Sequence, residues 1–143
     1  MKTVYLVACV SKKCSSELPA EELYCSDLFR KARAYVHGKL NTGDEWYILS
    51  AKHGLLHPRL KIGPYNETLN HMRKPARLRW ASGVMNELSK AVCSGDTIVF
   101  LAGQRYRETL EPGVAALGCQ IRVPMRGMPI GKQLQWLGDT ERP

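Results

Sequence analysis

The sequence predicts a single three-layer α/β domain over residues 1–143, with a mostly parallel sheet of four to five strands and helices on both faces. Its 143 residues suffice for one hydrophobic core but not for two ordinary domains. Short apolar runs end in polar segments, as buried strands do where they enter loops. Helical patterns separate these runs, and such alternation favours parallel strands joined by right-handed crossovers.

The first half of the chain contains two predicted strands and one predicted helix. Residues 4–8 are apolar and rich in β-forming side chains, which predicts the first strand. Ser26 can cap a helix with Asp27 in its first turn, and Gly38 would then stand just past its end. Residues 46–50 predict a second strand that also ends in a polar loop.

A long irregular connection and a second helix follow. Residues 57–72 show little periodicity and contain prolines and a glycine, so they predict an excursion longer than most connections. Pro75 is placed to open a helix at its first turn. Its predicted apolar face comprises Leu78, Ala81, Met85, Leu88 and Val92. Its predicted basic face comprises Arg73, Lys74, Arg77, Arg79 and Lys90.

The remaining elements are two strands and two helices. Residues 97–102 predict a third buried strand, followed by Gly103 and a helix interrupted at Pro112. Residues 120–123 predict a fourth strand. Apolar residues at helical spacing near the end predict a short terminal helix.

Composition limits the cellular setting and the cofactors. No apolar run approaches the roughly 20 residues needed to cross a bilayer, and the apolar start is too short for a secretion signal. The five cysteines form an odd set without a CxxC pair, which favours a reducing compartment. We therefore expect a cytoplasmic protein with no membrane contact. We expect neither a metal, because the cysteine and histidine spacings are irregular, nor a cofactor, because no cofactor motif is present.

The formal net charge of +8 bears on the partner rather than on the fold. A strongly basic surface attracts polyanions, so nucleic acid is the expected partner. The charge alone does not distinguish DNA from RNA, and the oligomeric state stays open.

Polar residues accumulate in three loops that follow predicted strands. Ligands of open α/β sheets bind beyond the carboxyl ends of the strands, so the loops at 9–16, 50–54 and 102–106 should converge. The hydroxyl of Ser11 and the ammonium of Lys12 could hold a phosphate. Lys52 suits an anion contact and His53 a general acid or base. Ser50 and Gly103 are further expected substrate contacts in these loops.

Three tyrosines and one asparagine complete the candidate site. The ring of Tyr65 could stack on a base while the amide of Asn66 reads a base edge or orients a water. Tyr24 and Tyr106 could stack or contact phosphate in the same way, although half-buried packing is the commoner role of such residues.

Several of these segments resemble a family of small proteins related to the peroxide-stress protein YaaA and, more faintly, the catalytic domain of archaeosine synthase. The resemblance rests on residues 9–13, 50–56, 64–69, 100–103 and 130–134, together with Tyr106. It implies an α/β fold with a basic cleft, DNA binding in the YaaA branch and modified-guanine chemistry on transfer RNA in the archaeosine branch. The family commonly has aspartate where this chain has Asn66, which weakens a carboxylate role at that position.

These observations favour an enzyme that acts on a nucleobase, most plausibly a DNA glycosylase that hydrolyses the bond between a modified base and its sugar. The positive charge that develops on the sugar needs a carboxylate or an amide-oriented water, from Asn66, Glu67 or Asp27. Lys52 or His53 could protonate the departing base. The expected contacts to the nucleic-acid backbone are Arg73, Lys74, Arg77 and Arg105.

Two alternatives stay open. The chain could be a non-enzymatic DNA- or RNA-binding module whose basic helix supplies the affinity. It could also be an enzyme that acts on the base of a free nucleotide, for which the same pocket would serve. DNA is favoured over RNA as the polymer partner.

Overall fold

The computed structural model describes residues 1–8, 17–24 and 26–141, with side chains described up to residue 138. The described strands are β1 (Thr3–Ala8), β2 (Leu18–Pro19), β3 (Glu45–Ser50), β4 (Gly54–Leu56), β5 (Lys61–Ile62), β6 (Thr97–Leu101) and β7 (Gln120–Arg122). The described helices are α1 (Ala20–Leu23), α2 (Asp27–Lys39), α3 (Lys74–Ala91), α4 (Gln104–Arg107), α5 (Glu111–Ala116) and α6 (Ile130–Glu141). A single 3₁₀ turn spans Leu69–His71 in the long connection between β5 and α3.

Five strands form one sheet in the order β4-β3-β1-β6-β7. Strands β3, β1, β6 and β7 run parallel, and only β4 is antiparallel to its neighbour. The central strand β1 has a core of four consecutive buried residues, as expected for a strand covered on both faces. The predicted α/β fold with a mostly parallel sheet is therefore confirmed.

Helices cover both faces of this sheet and give two hydrophobic clusters. Because side chains alternate along a strand, Tyr5 and Val7 of β1 pack on the side of α2 and α6. Val4 and Leu6 pack on the opposite side, against α3 and α5. No helix in the described part of the chain is long and apolar enough to cross a membrane.

Helix α2 begins as predicted and ends two residues later than predicted. The Ser26 Oγ accepts a hydrogen bond from the Phe29 backbone N–H at 3.2 Å, which is the expected capping contact. Gly38 lies inside the last turn rather than past the end. The helix instead stops at Leu40, whose backbone is extended, so no left-handed glycine is needed there.

Helix α3 has Pro75 in its first turn, as predicted, but its apolar face is displaced. The fully packed positions are Ala81, Val84 and Leu88. Leu78 was expected on this face, yet it is 50% exposed. With about 100° of rotation per residue, Leu78 falls at the margin of the stripe that faces the sheet.

Two predicted segments are organised differently in the structure. The polar loop after β3 is a tight turn, and Gly54, with φ of +71°, starts the unpredicted strand β4. Pro112 does not interrupt a helix but lies in the first turn of α5. The break falls earlier, between α4 and α5, because proline fits a first turn and not a helix interior.

Candidate functional site

The carboxyl ends of three neighbouring parallel strands, β3, β1 and β6, meet at one edge of the sheet. The loops after β3 and β6 both extend from this edge, which agrees with the predicted convergence. Ser11 and Lys12 were expected here, but they lie outside the described residues.

Three buried hydroxyl groups form a continuous chain beside this edge. The Ser50 Oγ lies 2.7 Å from the Tyr65 hydroxyl, which lies 2.5 Å from the Tyr24 hydroxyl. Ser50 is fully buried, and Tyr24 and Tyr65 are 1% and 7% exposed. We call this group the hydroxyl chain. Its members come from three separate segments, so it ties those segments together.

A small antiparallel ribbon brings two of these segments side by side. Leu18 of β2 pairs with Ile62 of β5. The backbone N–H of Ala20 donates to the carbonyl of Leu60 at 2.8 Å. These contacts hold α1 against the long connection and so set the distance between Tyr24 and Tyr65.

His53 contacts two members of the hydroxyl chain, Ser50 and Tyr65. Its backbone N–H donates to the Ser50 Oγ at 3.0 Å, and its ring packs edge-on against Tyr65 with 5.4 Å between centroids. Partial desolvation lowers the pKa of His53, the charge of Lys52 lowers it further, and Glu67 opposes both effects. The neutral imidazole is therefore the favoured form at pH 7, and it can accept a proton.

A cavity of about 300 Å³ opens at the carboxyl ends of β1 and β6. We call it the carboxyl-end cavity. Most of its lining is apolar, with Leu28 and Ala32 of α2 on one side and Leu101 and Met125 behind. Its polar lining consists of Asn70, Gly103, Gln104, Arg105 and Gln133. A small, mostly apolar pocket with a few polar groups is typical of a small-molecule site.

Trp80 joins the hydroxyl chain to the carboxyl-end cavity. Its indole N–H donates to the Ser50 carbonyl at 2.8 Å. Its ring packs edge-on against Tyr106, which lines the cavity, with 5.6 Å between centroids. Through these two contacts Trp80 connects the end of β3 to helix α4, which follows β6.

A family model of unknown function, DUF6884, matches residues 4–139. The chain belongs to this family. The match covers every residue of the five-stranded sheet except Thr3, the first residue of β1. No curated protein and no solved structure matched the chain.

The three tyrosines that are expected to stack on a base or contact phosphate are buried in this DUF6884 chain. Tyr24, Tyr65 and Tyr106 are 1%, 7% and 1% exposed, which agrees with the packing role that such residues commonly have. Tyr24 and Tyr65 instead contribute hydroxyls to the chain that ends at Ser50. Tyr106 is the one that reaches the cavity wall.

The expected catalytic residues of the DUF6884 chain lie on its surface. Lys52, His53 and Asn66 are exposed. Asn66 directly follows the buried Tyr65. The hydrogen bonds of the Tyr65 hydroxyl therefore hold the backbone that carries the Asn66 side chain. The structure thus brings these three residues next to the hydroxyl chain, where Lys52 and His53 line a cleft against α3 and not the carboxyl-end cavity.

The expected phosphate contacts divide into two groups. Arg73, Lys74 and Arg105 are exposed and available to a polyanion, and Arg105 also lies 3.6 Å from Glu108. Arg77, which is also expected to contact the nucleic-acid backbone, has a side chain that is only 14% exposed. Its guanidinium donates to the Met72 carbonyl at 2.6 Å, and so it holds the end of the long connection against α3.

The residues that sequence reasoning missed are the amide side chains of the cavity. Gln104 follows Gly103 at the end of β6, so its place after a strand was a usable signal. Asn70 lies in the 3₁₀ turn that packs on α4. Gln133 lies in α6, and the Nε2 of its side chain donates to the Met128 carbonyl at 2.8 Å. Within the described residues no group of three or more metal-ligating side chains is clustered.

Proposed function

We propose that this chain hydrolyses the N-glycosidic bond of a modified base in DNA, with the base held in the carboxyl-end cavity. The observation that carries the proposal is this cavity of about 300 Å³, placed where α/β sheets bind their ligands. Its volume is at the lower end of the range for small-molecule pockets, so it suits one base rather than a large ligand.

The lining suits the two surfaces of a nucleobase. Apolar side chains such as Leu101 and Met125 can cover the ring faces. Side-chain amides can pair with the donors and acceptors on a base edge, and Asn70, Gln104 and Gln133 supply them here. A base inside a duplex would have to be extruded to reach this lining.

One cation lines the cavity and others are exposed on neighbouring elements, which suits the phosphates on either side of an extruded base. Arg105 belongs to the cavity itself, and Arg73 and Lys74 are exposed at the start of α3. Lys52 and Arg79 line a separate cleft of about 250 Å³ between the turn after β3 and helix α3. The net charge of +8 supports a long polyanionic ligand, and so does the resemblance to YaaA-related proteins.

The proposed reaction adds water to the sugar carbon and releases the base with the bonding electrons. The neutral imidazole of His53 takes the proton from the water, and the amide of Asn66 orients that water. Lys52 donates a proton to the departing base, which keeps the bonding electrons and leaves as a neutral molecule. Glu67, which interacts electrostatically with His53, favours the protonated imidazole that results.

Base release from DNA tests this proposal. Genomic DNA that carries modified bases is incubated with the protein, and freed bases are identified by mass spectrometry. Gln104→Ala should lower release by about tenfold or more, because one base-edge contact is lost. Gln120→Ala removes the same amide from exposed strand β7 and should leave release unchanged. DNA binding without any base release would instead establish a binding module.

A second candidate, an enzyme acting on a free nucleotide, is favoured by one observation. Arg105 is the single cation among the described side chains of the cavity, as would suit a ligand with one phosphate. Release of base from monomers alone, with duplex and single-stranded DNA left intact, would establish this function.

A further inference from the structure

A second cavity, of about 350 Å³, lies at the opposite end of the sheet, between the amino ends of the strands and the end of α2. We call it the amino-end cavity. Thr3 pairs with Thr97 across β1 and β6, which sets two hydroxyls side by side. Two pairs further along, on the same face of the sheet, Val99 lies between Tyr5 and Arg122, so three neighbouring strands contribute to one wall.

Two cations of this cavity lack an acidic partner within the described residues. Lys39, in the last turn of α2, has its Nζ 5.8 Å from the ring centroid of Tyr35. Arg122 lies on the edge strand β7. None of the ion pairs between described residues involves either cation. Both charges therefore remain available to a ligand.

One carboxylate, that of Asp44, lies near enough to the cavity for its negative charge to act on Tyr5. Asp44 accepts the backbone N–H of Thr3 at 2.9 Å and that of Asn41 at 3.0 Å. Each bond uses a different oxygen, so Asp44 serves as a clamp for the start of β1. The cavity lining itself contains two positive charges and no negative one.

The donors of this cavity suit an oxyanion. Tyr5 and Tyr35 keep their protons at neutral pH, since the ordinary pKa of tyrosine is 10.0 and burial raises it further in both residues. Their hydroxyls, together with those of Thr3 and Thr97, can donate to an anion held between the two cations. A phosphate dianion offers three strong acceptor oxygens and prefers guanidinium donors.

We propose that the amino-end cavity binds a phosphate monoester. The volume exceeds what one phosphate fills, and Val99 and Pro124 provide an apolar wall for the group that the phosphate carries. The site does not depend on the function proposed above, since the two cavities share no lining residue, although Pro124 of this cavity directly precedes Met125 of the carboxyl-end cavity.

Titration of the full chain with defined probes tests this site. Adenosine 5′-monophosphate is added while backbone amide signals are followed by nuclear magnetic resonance. The amides of Thr3, Thr97 and Arg122 should shift, and adenosine alone should leave them in place. Oligonucleotides with a 5′-phosphate or a 5′-hydroxyl then tell whether the monoester is taken from a free nucleotide or from a strand end.

Matched variants separate a built site from diffuse attraction. Arg122→Gln and Lys39→Gln should each weaken binding by about tenfold or more, because a charge-assisted hydrogen bond is lost. Lys90→Gln removes the same charge from the end of α3 and should have no effect. An equal loss in all three variants, shifts elsewhere only, or equally tight binding of sulfate would overturn the proposal. Base release from DNA should persist in Arg122→Gln. The phosphate site and the glycosylase function can therefore be refuted independently of each other.

Discussion

Tyr65 and Ser50 are fifteen positions apart, yet their hydroxyl oxygens lie 2.7 Å from each other in the interior of the protein. The Ser50 Oγ also accepts the backbone N–H of His53. One buried contact therefore joins the long connection before α3 to the turn that carries the candidate general base. The position of His53 therefore depends on Tyr65, which is distant from it in the sequence.

Replacing Tyr65 by phenylalanine should weaken this arrangement. The change leaves buried hydroxyls of Tyr24 and Ser50 without their shared partner, which costs about 1–3 kcal/mol of unfolding free energy. Urea unfolding measures the loss, and base release should fall as well, because the turn at His53 loosens. Tyr47→Phe is the matched control, since it removes a half-buried hydroxyl that donates to Glu45 at 3.0 Å, at the other end of β3. Equal loss of base release in both variants would contradict a specific role for Tyr65.

Two neighbouring charges should move the pKa of His53 in opposite directions. Lys52→Met removes a positive charge that lowers this pKa, so the pKa should rise. Glu67→Gln removes a negative charge that raises it, so the pKa should fall. Titration of the His53 ring signals by nuclear magnetic resonance measures both shifts. Shifts of the same sign in the two variants would show that the charges are not arranged around His53 as described.

The pKa of His53 also predicts a dependence of stability on pH. Because the folded protein lowers this pKa, the unfolded chain binds a proton more readily near pH 6. The stabilisation is complete above the ordinary value of 6.5 and is lost as the pH falls through the folded value. His53→Asn should reduce this part of the pH dependence, which unfolding curves at several pH values would detect.

Asp96 should stabilise the fold through its ionised form. Its carboxylate accepts the backbone N–H groups of Lys2 at 3.0 Å and Cys93 at 2.8 Å, and these bonds lower its pKa. The contribution is present above the ordinary value of 3.8 and is lost as the pH falls through the folded value. Asp96→Asn should therefore lower the melting temperature at pH 7, and the gap to the natural protein should narrow in acid. Glu87→Gln, on the exposed face of α3, is the control and should leave the melting temperature unchanged.

The displaced apolar face of α3 can be checked with two leucines. Leu88 is fully buried, so Leu88→Ala should cost about 2–5 kcal/mol of unfolding free energy. Leu78 is half exposed, and Leu78→Ala should stay within about 0.5 kcal/mol of the natural protein. Urea unfolding of both variants gives the comparison. Similar costs at the two sites would restore the original assignment of Leu78 to the core.

The sheet was predictable because its strands are short apolar runs and its main helices carry clear end signals. Ser26 and Pro75 illustrate this, since capping and first-turn chemistry depend on neighbouring residues alone. Strand β4 was missed because it is only three residues long. It also follows a turn whose polar residues would be equally typical of an open loop. Its existence depends on pairing with β3, which the local sequence does not encode.

The site was predictable in its location but less so in its composition. The convergence of the loops follows from parallel strands, whereas the burial of Tyr65 depends on the ribbon formed by β2 and β5. Tyrosine suits both a wet rim and a buried hydrogen bond, so sequence cannot choose between these roles. Gln133 reaches the cavity from the last helix, and its neighbours give no sign of this.

Both outer strands of the main sheet, β4 and β7, are only three residues long. An edge strand of this length exposes few unpaired backbone groups. Two molecules that paired through these edge strands would form only a few backbone hydrogen bonds between their sheets. The fold thus resists fibrous self-association at its margins, even though its centre is built from apolar, strongly β-forming runs.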